Sequence, residues 1–146
     1  MSQVFVRSEE GFRMSIHLRN HMLFADETLE DGGADTAPTP PEILLGALGA
    51  CMCMTTKMYA RRKHWPLEDV QITLESERFN KEDYPAYLGA SSFVTEIRYN
   101  IEFLGPLTAE QTTRLSEIAH KCPVHRTLEN PIYIVEGLHG APVEES

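Results

Sequence analysis

From Ile43 to Met54 the chain runs Ile-Leu-Leu-Gly-Ala-Leu-Gly-Ala-Cys-Met-Cys-Met, without one polar side chain. A helix that is apolar on every side has to be buried on every side. These 12 residues fall short of the roughly 20 needed to cross a bilayer. The stretch therefore reads as the hidden central helix of a soluble protein, with a thiol, Cys51, in its middle. Pro40 and Pro41 suit a first helical turn, and Glu42 complements the positive end of the helix dipole. Lys57, Arg61, Arg62 and Lys63 favour the negative end, and Pro66 forbids continuation. Ile43, Ala47, Ala50, Cys51, Met54 and Met58 fall on one stripe; Leu44, Leu48 and Tyr59 fall on another. Gly46 and Gly49 each cost about 1 kcal/mol of helix propensity. That cost calls for a neighbour whose backbone comes close, and a second copy of the same helix is a candidate.

At 146 residues the chain reads as one domain, 1–146, large enough for a real core. A formal charge of −9 argues against nucleic acid or an anionic membrane as the main partner. No stretch has the layout of a signal peptide, so the expected location is cytoplasmic. Three cysteines do not make a secreted disulfide framework; in a reducing compartment they are buried, catalytic or metal-bound.

Ahead of the central helix, Met14, Ile16 and Leu18 continue an alternation begun at Phe12, the mark of a half-buried strand. Strands are expected before it at Val4–Arg7 and after it at His21–Ala25, with turns at Glu9-Glu10-Gly11 and Arg19-Asn20. The segment 26–39, acidic and rich in Gly, Thr and Pro, reads as a mobile loop. Beyond the helix, Val70, Ile72 and Leu74 mark another strand and 80–91 an exposed connection. Phe93 to Phe103 gives the cleanest alternation, with Thr95 the one polar residue on its apolar register. Thr108 and Gln111 fit a capping box opening a second helix, whose apolar face carries Leu115, Ile118, Ala119 and Cys122. Pro123 breaks that helix or begins another. Ile132–Val135 reads as a last strand and 137–146 as a frayed tail. This order is α+β, with antiparallel sheets.

The thiols carry the chemistry of interest. A free cysteine inside an apolar helix is ordinarily a small buried hydrophobe, and Cys51 stays open between that role and a functional one. Cys122, at a helix start beside Lys121, His125 and Arg126, is expected to have a lowered pKa. Cys53 lies two residues, about 200°, round the helix from Cys51, so it reads as packing. The same separation rules against a tetrahedral metal site from Cys51, Cys53, Cys122 and His125.

Pro41-Glu42-Ile-Leu-Leu-Gly-Ala-Leu-Gly-Ala-Cys51, followed 71 residues later by Cys122-Pro-Val-His-Arg-Thr-Leu, resembles the OsmC/Ohr family of bacterial hydroperoxide-handling proteins. The resemblance runs from about Phe12 to Val135. Gly32-Gly33 ahead of Pro-Thr-Pro-Pro, and Met-Tyr-Ala-Arg-Arg-Lys after the thiol, look closer to its OsmC-like branch. It implies an OsmC-like fold in which two chains interlock as a homodimer, strands wrapped around packed central helices. It also implies a mechanism. Cys51 attacks the O–O bond of an organic hydroperoxide and becomes a sulfenic acid, Cys122 condenses with it to a disulfide, and an external dithiol such as a lipoyl group restores both. No cofactor or metal is implied. An arginine and a glutamate activate the thiol in the family. Arg19, preferred to Arg13, and Glu42 are the residues here that stand nearest those roles. Nine residues place Glu42 about 180° round and about 13 Å along from Cys51, so it would act on a partner subunit's thiol. The rival reading is a non-catalytic dimer of the same fold that binds an apolar or thiol-reactive ligand at the subunit interface.

Overall fold

The computed structural model describes residues 2–138. Three short strands come first: β1 (Val4–Ser8), β2 (Met14–Leu18) and β3 (His21–Ala25). They form an antiparallel meander in that order, and Leu18 faces His21 across the two-residue turn Arg19-Asn20. Arg19 has a φ of 55°, the left-handed backbone that so tight a turn requires. The ladder begins at Met14 rather than Phe12, which stays outside it and exposed.

The loop expected to be mobile is laced to one buried carboxylate. Asp26 accepts hydrogen bonds from the Thr36 N–H (3.0 Å), the Thr36 hydroxyl (2.7 Å) and the Glu27 N–H (2.8 Å). Its own N–H donates to the Pro38 carbonyl. Arg13 joins in, donating to the Thr36 hydroxyl at 2.8 Å while its guanidinium lies over the Phe24 ring. These bonds, those from Thr36 foremost, hold the Asp26 carboxyl at about 2, below its ordinary 3.8.

Helix α1 spans Pro40–Lys63, 24 residues. Thr39 and Glu42 close a capping box at its start, and His64, left-handed at φ 56°, ends it. Strands β4 (Asp69–Asn80) and β5 (Phe93–Leu104) then form one long antiparallel hairpin. β4 runs on beyond the expected Leu74 because Ser76–Phe79 pair with Val94–Ile97. Helix α2 (Ala109–Ala119) opens on the Thr108–Gln111 capping box, and α3 (Pro123–Glu129) follows with Cys122 as its N-cap. The mixed architecture and antiparallel sheets are those read from the sequence.

The core lies where α1 crosses the hairpin and meets α2 and α3. Leu48, Met52, Thr56 and Ala60 form the buried face of α1. Gly49 is what lets it approach: a Cβ there would stand 2.7 Å from Leu74 Cδ1 and 3.1 Å from Ile72 Cγ2. The close neighbour of this glycine is therefore β4, whereas Gly46 faces open space.

Within its own chain α1 is covered on one face, and the cover expected for the rest was a second copy of the helix. The stripe through Ala47, Ala50, Met54 and Met58 faces outward, with Met58 68% exposed. One chain offers α1 cover from β4, α2 and α3 only, which suffices for one face. By composition α1 could cross a membrane, with a mean hydropathy of 1.4 over 18 residues, but its packing against those elements makes it a core helix. One expectation is corrected: Ile132–Val135 forms no strand, and Ile134 is 96% exposed. Of the tail read at 137–146, residues 139–146 lie outside the described residues. The meander makes only scattered contacts with the helices and the hairpin, and Val4, Phe5, Val6, Met22 and Leu23 are exposed.

Asp26 gives the fold an acid limb. Its carboxyl is depressed in the folded state, so its contribution is fully present above 3.8 and is lost as pH falls toward 2. Asp26→Asn should lower stability at neutral pH and flatten the acid dependence. Denaturant midpoints measured across pH check both.

Candidate active site

Cys51 sits midway along α1, half-buried, where the covered face of the helix gives way to the open one. Cys122 is fully buried. α2 carries it there: Leu115, Ile118 and Ala119 pack inward, and the next turn delivers Cys122 to the same side. Pro123 then supplies the φ that starts α3 and lacks the N–H that a first turn would leave unpaired. Cys51 packs against the buried cluster that contains Cys122. Leu48, Met52 and Ala119 complete that cluster, with Ile72, Leu74, Val124 and Leu128 packed around. Cys51, Cys53 and Cys122 are all free thiols.

The electrostatics of Cys122 reverse the expectation of a lowered pKa. Burial pushes its thiol up, and Cys51 adds to that; the His125 N–H, donating to its Sγ at 3.2 Å, opposes both. α3 is only seven residues long, so its dipole is small. The cations thought to help, Lys121 and Arg126, point into solvent, where water screens them. Cys53 sits apart from the pair; burial first, then the charge of Asp69, pushes its thiol up.

Glu42 and Arg19 stand elsewhere. Glu42 is exposed at the start of α1, its carboxylate accepting the Thr39 N–H at 2.9 Å; bonds with Thr39 hold its pKa down. Arg19 is exposed in the β2–β3 turn. One chain thus brings Cys51 and Cys122 together and brings neither Glu42 nor Arg19 to them. Arg13, the other arginine weighed, is occupied by Glu9 and Thr36. The sequence reading also passed over Met52 and Thr56, fully buried on the covered face of α1, and a Tyr99–His120–His125–Glu129 cluster at α3. The signals were there: Met52 and Thr56 follow Leu48 at helical spacing, and Glu129 follows His125 by one turn. Among the described residues no group of three or more His, Cys, Asp or Glu is arranged to hold a metal ion.

The profile of a family described as OsmC-like protein matches residues 32–136. No curated protein matches the chain by sequence. Solved structures do match. An OsmC-like protein from Mycoplasma pneumoniae superposes with a TM-score of 0.70 at 18% identity, covering 88% of this chain and 87% of its own. An organic hydroperoxide resistance protein OsmC from Legionella pneumophila gives 0.62 at 19%, covering 86% and 88%. An organic hydroperoxide resistance protein from Elizabethkingia anophelis, crystallised with thiocyanate, gives 0.62 at 17%, covering 87% and 86%. At such identities what is shared is the fold.

The raised thiol of Cys122 predicts its reactivity. Its alkylation should lag behind that of a free cysteine peptide at neutral pH and recover only as pH rises past the ordinary thiol range. Mass mapping of each cysteine after timed alkylation across pH reads this directly.

Proposed function

The chain belongs to the OsmC-like protein family, and from that membership we propose that it is a cysteine-based peroxidase that reduces organic hydroperoxides. The observation that supports this most is the packing of Cys51 against the apolar cluster that holds Cys122. The names of the hydroperoxide resistance proteins that share the fold agree with it.

The steps balance as follows. Cys51 gives up its proton and the thiolate attacks the outer oxygen of R–O–O–H; the O–O bond breaks, the alkoxide takes up that proton and leaves as the alcohol R–OH, and Cys51 is oxidised to the sulfenic acid. The Cys122 sulfur then displaces hydroxide from that sulfenic sulfur; its proton leaves with it as water, and a disulfide joins the pair. An external dithiol, a lipoyl group by its chemistry, reduces the disulfide by exchange and is itself oxidised. Apolar walls around the pair favour alkyl hydroperoxides over hydrogen peroxide, by about 0.8 kcal/mol for each methylene buried. A dithiol-fed reaction of this kind belongs in the reducing cytoplasm.

The acting unit in this reading is an interlocked homodimer. Leu44, Ala47, Cys51, Met54 and Met58 repeat at alternating steps of three and four, a seam suited to a second helix. Gly46, open in one chain, is where two such helices could cross closely. In an antiparallel, two-fold pair crossing between Gly46 and Ala47, residue 42 of one helix falls opposite residue 51 of the other. Glu42 would then serve the partner's thiol. The exposed meander, which carries Arg19, and Ile132–Val135 are further apolar surfaces such a partner would cover.

Wild-type protein should consume cumene hydroperoxide with dihydrolipoamide as reductant. Cys51→Ser should abolish turnover, and Cys122→Ser should allow one equivalent to react and then stall at the sulfenic acid. Absence of consumption by the wild type under any dithiol would reject the reading. For the assembly, Gly46→Leu should convert a dimer to monomer in sedimentation and remove activity with it.

A further inference from the structure

Behind the thiol pair, on the other side of Leu48, a cleft of about 230 Å³ opens between β5 and α3. Its floor is apolar: Leu48 from α1, Ile97 from β5 and Leu128 from α3, with the Tyr99 ring on one wall. Thr95 and Glu129 stand at the rim; Glu129 is 65% exposed. Between floor and rim lies His125. Its Nδ1 is buried and has no hydrogen-bond partner among the described residues. Glu129 Oε2 is 3.1 Å away but out of line for a hydrogen bond.

This arrangement is held, not accidental. The His125 ring is stacked on His120, 5.4 Å between centroids and 20° from parallel, and His120 Nε2 shares a hydrogen bond with the Tyr99 hydroxyl. Tyr99 itself meets the His125 ring edge-on at 6.5 Å. Three rings thus fix the direction of Nδ1, and leaving a buried nitrogen unpaired is costly. A ligand that satisfied it would recover that energy.

We infer that this cleft binds a small uncharged hydroxyl compound, its hydroxyl bridging His125 Nδ1 and Glu129 and its apolar body resting on Leu48, Ile97 and Leu128. A hydroxyl is both donor and acceptor, which suits a ring nitrogen and a carboxylate oxygen side by side, whichever holds the proton. A carboxylate ligand would meet the charge of Glu129, and a wholly apolar one would leave Nδ1 unpaired. Size sets the class. About 150 Å³ accommodates benzene, so this cleft takes a single ring with a short polar arm. The inference rests on the cleft and not on peroxide chemistry, although the alcohol released by a hydroperoxidase is a compound of this class.

The test uses the full chain and two probes that differ in the hydroxyl, benzyl alcohol and toluene, titrated by heteronuclear NMR. Benzyl alcohol should bind about tenfold or more tightly than toluene, as a hydroxyl-matching site demands, with shifts centred on Ile97, His125 and Leu128. His125→Phe keeps the ring and removes the nitrogen, and should bring the two probes to parity. Glu129→Leu, at the exposed rim where folding is not at stake, should reduce the preference as well. Cys51→Ser should leave it unchanged, so a failure of the peroxidase reading is distinguishable. Equal affinities in the wild type, shifts that map elsewhere, or no binding of either probe would overturn the site.

Discussion

Helix α1 presents more apolar surface than its own chain covers, and the rest of the molecule follows from that excess. One face is settled by the hairpin, which reaches the helix backbone at Gly49 through Ile72 and Leu74. α2 and α3 close over the next sector, burying Leu48, Met52, Thr56 and Ala60. The remaining stripe, ending in Met54 and Met58, stays uncovered. Cys51 lies on the boundary between the two regimes. One residue either way, Ala50 is in the open and Met52 wholly in the core.

Burial likewise decides the state of Cys122. A helix start stabilises a thiolate by about 0.3–1 kcal/mol at typical sites, less for so short a helix as α3. Removal of a charged group from water shifts its pKa by as much as several units, each worth about 1.4 kcal/mol. The desolvation is the larger quantity, and the single N–H from His125 does not overturn it. A local feature that argues for a reactive thiol is therefore outweighed by its place in the core. The sequence window around Cys122 contains the cap and the nearby cations but not the three elements that wall it in.

That contrast separates what was legible from what was not. The Pro40–Pro66 helix, the alternation through Ile97, Tyr99 and Ile101, and the Thr108–Gln111 capping box are local signals, and each appears in place. The misreadings are tertiary. Whether Ile132–Val135 finds a strand to join and whether Gly49 meets a strand or a helix depend on what lies across the gap. The loop 26–39 carries every mark of mobility in composition, yet one buried aspartate organises it. Composition could not show that, since Thr36 and Pro38, which tie the loop to Asp26, lie ten and twelve residues away. Glu42 and Arg19 were legible as residues, but their distance from Cys51 makes any role for them a property of an assembly.

The unequal burial of the two cysteines bears on how a peroxidase of this design would avoid damaging itself. If both sulfurs were exposed thiolates, either could take oxygen from the peroxide, and the one not opposite a partner thiol would be free to over-oxidise. Here Cys122 is dry and held in its neutral form, which makes it a poor first nucleophile. Cys51, at the edge of the cluster, is the thiol an incoming hydroperoxide can meet. Once Cys51 carries oxygen its sulfur becomes electrophilic, and the nearest nucleophile is the protected one beside it. The order of events would then be set by access and desolvation. It needs no difference in intrinsic thiol chemistry, only a helix that is half covered and a neighbour that is wholly so.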